Sequence, residues 1–249
     1  MATSKSTEVA KAKNNLPVDF NAQMAAEVEG FKNRLQTHGG DKIKADEKLF
    51  TLPNGDSAEE LSVIIVEFVS TNKYYDKPWD PKTTVPPNCF AISNEAIGMV
   101  PSDNSPDKQC DSCTACWANQ WNSATAGAGK ACKNERFLAV MAPDDFDAPL
   151  MVLNVTPTAL KSFDNYVASV ARSFQRPPRG VITTINFDPN VKYSSLRFSN
   201  PIPCTQEQLA AAWGRKDEAM TRLLQEPDVS NFEKAAPKAK GKAPARRAA

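Results

Sequence analysis

The residues best equipped for chemistry in this chain are its six cysteines, four of which, Cys110, Cys113, Cys116 and Cys132, fall within 23 residues. Cys89 lies shortly upstream. The amino-terminal MATSKSTEVAKAKNN lacks the apolar stretch and small-residue cleavage site of a secretory signal, so a reducing, intracellular setting is expected. Closely spaced thiols there argue for a metal before a disulfide. A C-x2-C turn such as Cys113 to Cys116 can bring both sulfurs onto one ion, and tetrahedral zinc then needs two further ligands. Cys132 supplies one, and the other is Cys89 or Cys110. Three cysteines in C-x2-C-x2-C are one more than a zinc knuckle uses. The spacing therefore favours Cys89, Cys113, Cys116 and Cys132, with Cys110 free or competing. Four thiolates leave no open position for water, so such a Zn2+ is structural.

Rival chemistries fit less well. An iron–sulfur cluster uses C-x2-C-x2-C, but Cys132 has neither the short spacing nor the following proline of the ferredoxin pattern. A redox role for Cys113-Thr114-Ala115-Cys116 would need a strand-to-helix setting, whereas the neighbours are Ser, Asn and Gly. Gly127-Ala128-Gly129-Lys130 resembles the end of a phosphate loop, but position 124 is Ala where glycine is required and Lys130 precedes Ala131. His38 is the only histidine, at an expected helix end. Asp144, Asp145 and Asp147, between Pro143 and Pro149, read as a solvated loop. No enzyme signature emerges, and a non-enzymatic protein is expected.

Charge is unevenly placed. The chain has 30 Lys and Arg against 29 Asp and Glu, and six of the basic residues lie in the tail Lys234–Ala249, which has no acid. The remaining body, with 24 basic and 29 acidic residues, is formally minus five. Nucleic-acid binding would therefore need a local basic stripe or the tail. No stretch is long and apolar enough for a membrane span, since Leu61 to Val69 is interrupted by Glu67.

Nineteen prolines and ten glycines predict many turns between short elements. Phe20, Met24, Val28, Phe31 and Leu35 recur at helical steps after Asp19, and Gly39-Gly40 ends that pattern. Ser62 to Val69 is rich in β-branched residues and reads as a strand buried on both faces. Further strands are predicted over Cys89 to Ile92, Arg136 to Met141, Leu150 to Val155, Val181 to Phe187 and Tyr193 to Ser199, the last two joined as a hairpin across Asp188-Pro189-Asn190. Between Leu150–Val155 and Val181–Phe187, Thr156-Pro157 opens a helix whose stripe is Leu160, Phe163, Val167, Val170 and Phe174. A last helix starts at Thr205, capped reciprocally by Gln208, and is expected to bury Leu209, Trp213, Met220 and Leu224.

Aromatic and basic residues interleave from the helix that starts at Thr156-Pro157 through the hairpin. Tyr166, Arg172, Arg176, Arg179, Lys192, Tyr193 and Arg197 could stack on bases and contact phosphates, giving sequence-tolerant binding. Alternation would place Tyr193, Ser195 and Arg197 on one strand face and Leu196 and Phe198 on the other.

The order of Tyr74-Tyr75, Pro86-Pro87-Asn88-Cys89-Phe90-Ala91, Ser105-Pro106-Asp107, Cys113 with Cys116, Lys130-Ala131-Cys132-Lys133, Leu160 to Tyr166, Val181-Ile182-Thr183 and Leu196-Arg197-Phe198 resembles a group of bacteriophage-encoded proteins, some of them thought to bind single-stranded DNA. The resemblance spans roughly Gly39 to Pro203. It implies the same four cysteines as the recurring ones. Proteins of this kind commonly end in an acidic tail, whereas this sequence carries a basic one, which points to polyanion contact by the tail itself.

Together these features predict an α+β, predominantly β protein with an OB-like β-barrel or sheet core, a Cys-rich zinc loop inserted at about 86–134, and flanking helices. Residues 1–18 are expected to be disordered, 19–226 to form one domain, and 227–249 to be a flexible basic tail. The function implied is that of a phage single-stranded DNA-binding protein in DNA replication or recombination. It would work in the host cell cytoplasm with single-stranded DNA and replication or recombination proteins as partners. The alternative is a zinc-stabilised regulatory protein engaging host replication or transcription machinery.

Overall fold

The computed structural model describes residues 41–77 and 85–232, together with Phe20, Gln23, Met24 and Glu27. The chain divides into two compact units, Met1–Gly40 and Asp41–Ala249. In the first, those four residues are helical and exposed. The rest of the helix predicted there, His38, the segment 1–18 and the tail Lys234–Ala249 lie outside the described residues.

The second unit is predominantly β. Its longest strand, β4 (Leu61–Tyr74), extends the predicted β-branched run by five residues at its carboxyl end. The other strands are β1 (Lys42–Asp46), β2 (Leu49–Thr51), β3 (Ser57–Ala58), β5 (Cys89–Ser93), β6 (Cys132–Met141), β7 (Met151–Val155), β8 (Val181–Phe187) and β9 (Leu196–Pro203). They form one sheet in the order β3-β2-β1-β7-β6-β4-β8-β9, with β5 also paired to β4. β4 is antiparallel to β5, β6 and β8. A bulge between Ile65 and Glu67 changes its register on β6, the kind of irregularity that bends a strand and increases its twist. Pro201 and Pro203 sit in β9, an outermost strand of the path, where a missing N–H costs no central ladder bond.

Both faces of β4 are covered. On one, Leu61, Val63 and Ile65 join Leu138, Leu153 and Ile185 beneath helix α1 (Leu160–Phe174), which contributes Phe163, Tyr166 and Val170. On the other, Ile64, Val66 and Val69 join Ala139, Met141 and Leu150 beneath α2 (Gln206–Gly214) and α3 (Lys216–Leu223). Arg215 fixes that second layer by donating to the carbonyls of Phe146 at 3.2 Å and Ala148 at 2.6 Å. Gln208 donates to Pro143 O at 2.9 Å. The acidic loop is thus a docking point for the helices, and within it Asp145 accepts from the amides of Asp147 and Ala148.

The sheet curls far enough for distant strands to meet. The rings of Phe50 on β2 and Phe187 on β8 stack with centroids 4.4 Å apart. Beside them the β1–β2 turn touches the β8–β9 loop: Lys48 N donates to Ser194 Oγ at 3.1 Å and Lys48 Nζ to Asp188 O at 3.2 Å. That turn puts Glu47 and Lys48 at φ 47° and 58°, a conformation that usually selects Asn or Gly. These long-range bonds hold it without either.

Several local expectations are corrected. α1 begins at Leu160 with Ala159 as its N-cap and no side-chain cap. Thr156 instead makes a turn, accepting from Ala159 N at 2.9 Å. The capping box of Thr205 and Gln208 is present, but the helix breaks after Gly214, which shifts the phase of the buried stripe. Trp213 and Leu224 are consequently exposed, and Ala212, Ala219 and Leu223 are buried in their place. β9 starts at Leu196, so Tyr193 lies in the preceding loop and Ser195 is buried rather than sharing an outward face with it.

Phe163 is fully buried and meets the rings of Phe68 and Phe198 edge-on, each at 5.1 Å. Phe163→Ala should cost about 3–5 kcal/mol through lost transfer energy and the cavity left behind, read as a lower denaturation midpoint at unchanged slope.

Candidate metal centre and nucleic-acid interface

Sheet register brings the cysteines together. Tyr74, the last residue of β4, pairs with Cys89 on one side and Cys132 on the other, so these two cysteines begin the strands that flank it. The intervening loop carries Cys113 and Cys116 back to the same place. Cys113 N donates to Met99 O at 3.0 Å. Asn119 Nδ2 donates to Cys113 O at 2.7 Å, and Gln120 Nε2 to Cys116 O at 3.1 Å. Cys89, Cys113, Cys116 and Cys132 are all buried and line one small pocket with Asn72 and Tyr74. Cys110 is partly buried and packs beside Cys116 and Cys132.

All six cysteines are unpaired thiols. Burial pushes the Cys132 thiol up to about 12, reinforced by Cys113, Cys116 and Cys89. Burial likewise raises Cys116 to about 11, with a hydrogen bond to Cys110 the second cause. Cys113 also moves up through burial, partly offset by its hydrogen bond with Asn72. Burial thus keeps these thiols protonated at neutral pH in the metal-free chain.

Among the described residues no set of three or more His, Cys, Asp and Glu side chains is gathered in metal-holding geometry. Four of the cysteines nevertheless line the same pocket. Their chemistry fits a soft divalent ion: neighbouring buried sulfurs resist ionising one by one, and a zinc ion would remove that resistance by taking the protons' place. Cys89 acts on Cys113 and Cys132, and Cys110 acts on Cys113 and Cys116. Both candidates for the fourth ligand therefore border the cluster.

The residues expected to bind DNA do not form one surface. Tyr166 is buried, its hydroxyl 2.8 Å from Thr183 Oγ1 and its ring 6.0 Å from that of Phe198. It belongs to the core and offers no face to a base. Arg179 is ion-paired with Glu67 at 2.8 Å and lies over the Trp213 ring at 5.0 Å. Arg176 donates to Gly180 O at 3.3 Å. Arg172, on α1, is exposed. Lys192, Tyr193 and Arg197 are exposed in and just after the β8–β9 loop.

A second group was not anticipated from the sequence. Trp117, Trp121 and Tyr75 are exposed in or beside the cysteine loop. Lys130 Nζ lies 5.6 Å from the Trp121 ring and Lys133 Nζ 6.0 Å from the Tyr75 ring. The signal available was the Trp117-Ala118-Asn119-Gln120-Trp121 stretch between the Cys113/Cys116 pair and a Gly-rich segment.

Compared with known protein families, with curated proteins and with solved structures, the chain matches none. No described helix is long and apolar enough to cross a membrane.

Exposure orders the reactivity of the loop thiols. In metal-free, reduced protein, brief alkylation at neutral pH followed by mass spectrometry should label Cys110 well before Cys132. Equal labelling would contradict the burial described here.

Proposed function

We propose that this chain is a single-stranded DNA-binding protein built on an OB-like barrel and braced by a structural zinc. The observation that carries the reading is the order of connections. β4, β6 and β7 form a meander, α1 follows, and β8 returns to the free side of β4 before β9. Strand one between strands two and four, with a helix between strands three and four, is the connectivity of the five-stranded OB barrel. Here β1 pairs in parallel with β7, and the β1–β2 hairpin reaches across to β8. That hairpin would stand between the third and fourth strands of such a barrel, bridging β7 to β8 and the β8–β9 loop.

In OB-folds the loops after strands one and four border the nucleic-acid groove. The corresponding loops here are the cysteine segment between β4 and β6 and the β8–β9 loop with Lys192 and Tyr193. Zinc on Cys113, Cys116, Cys132 and Cys89 would tie the first of these to the sheet and supply no catalysis. The resemblance to phage proteins extends the reading to replication or recombination of a phage genome in the host cytoplasm. A second reading, a zinc-stabilised regulatory protein, draws on Ile97 and Val100, which are 88% and 62% exposed and would suit a protein partner.

Elemental analysis of protein purified without chelators should find about one zinc per chain, the stoichiometry of a single four-ligand site. Cys132→Ser should lose it and Cys110→Ser should retain it. Folded parent protein carrying no zinc would remove the metal from the proposal. Titration with fluorescent single-stranded and duplex DNA should show preference for the single strand and affinity that falls as salt rises. Equal or absent binding of both at low salt would overturn the function and favour the regulatory alternative.

A further inference from the structure

We infer that the cysteine loop is itself the base-stacking platform, with Trp121, Trp117 and Tyr75 receiving bases and Lys130 and Lys133 receiving phosphates. This rests on the single-stranded DNA reading above and specifies the surface that performs it.

The first support is ring exposure on an ordered scaffold. Trp121 is 73% exposed, Trp117 49% and Tyr75 36%. The loop that presents the indoles is tied down from within: Ser123 Oγ donates to Ala118 O at 2.9 Å and accepts from Ala131 N at 2.9 Å. Asn122 N donates to Ala128 O at 3.2 Å and Ala124 N to Gly129 O at 3.1 Å. Trp117 meets Tyr74 edge-on at 5.5 Å. A fixed, outward indole fits a flat apolar partner with two open faces, and a nucleobase is such a partner.

The second support is the state of the cations. Lys130 Nζ is held at 3.1 Å by Asn119 Oδ1 and at 3.1 Å by Asn134 Oδ1, both neutral acceptors, so its position is set while its charge is not cancelled. Lys133 is exposed, and no described acid pairs with it. Elsewhere in the molecule the equivalent pairing is neutralised: Arg179 lies over the exposed Trp213, but Glu67 takes its charge. Rings beside uncancelled ammonium groups match the alternating apolar and anionic character of a single strand. A duplex, with its bases stacked internally, offers only the anionic part.

The test uses the full chain and a fluorescein-labelled oligodeoxythymidylate at several salt concentrations. Trp121→Ala should weaken binding about 5- to 150-fold, the loss of one stacked base, and Trp121→Phe should recover most of it. Lys133→Ala should lower the slope of log affinity against log salt by about 0.7, one phosphate contact on a single strand. Trp213→Ala, on a different face, should stay within about two-fold of the parent. If Trp121→Ala binds like the parent and Lys133→Ala keeps the parent's salt slope, the platform is overturned and single-strand binding stands. If Trp213→Ala weakens binding as much as Trp121→Ala, the assignment to this loop is overturned. A parent chain that binds no single strand ends both proposals.

Discussion

A strand apolar on both faces cannot rest on one layer, and β4 imposes that constraint on everything around it. Ile64, Val66 and Val69 face one way while Val63 and Ile65 face the other, so the sheet needs a cover on each side. α1 supplies one cover and the α2–α3 pair the other. The same strand is the hydrogen-bonding partner of β5, β6 and β8, and the bulge after Ile65 bends it while keeping Phe68 and Val69 in opposite layers. Beyond Val69 the apolar demand fades into Thr71, Asn72 and Lys73, and there the strand serves the thiol pocket instead.

The two-sided cover also shapes what the outer surface can do. α2 and α3 lie over Ala139, Met141 and Leu150, the face of β6 and β7 turned away from α1. In an open OB barrel that face is available to a ligand. Here the chain's own helices occupy it, and Trp117, Trp121, Lys130 and Tyr193 lie in the connecting loops.

How far the sequence revealed this depends on whether an element announces itself locally. The β-branched run of β4 and the stripe of α1 do, because burial selects long apolar patterns. β1 and β2 do not: Lys42–Asp46 and Leu49–Thr51 are short and partly polar, and their turn through Glu47 and Lys48 lacks the Asn or Gly that would signal a hairpin. Tyr166 was legible in principle, since Phe163, Tyr166 and Val170 share helical spacing, but a tyrosine serves core and surface alike. Its hydrogen bond to Thr183 is a tertiary fact. The choice of four cysteines came from spacing, and the four line one pocket, whereas the outward turn of Trp117 and Trp121 depends on loop geometry that no periodicity records.

The register of Tyr74 against Cys132 brings the inserted segment back to the point that it left. Its two ends stand directly opposite each other on adjacent antiparallel strands, about 5 Å apart, the distance an ordinary tight turn spans. Everything from Tyr75 to Ala131 therefore leaves and re-enters the β4–β6 ladder at one point, and within it β5 rejoins the sheet on the other side of β4. The β4–β6 ladder would close equally well over a short hairpin, so the length of this excursion answers to what it carries, β5 and the cysteine loop, and not to the ladder that it interrupts.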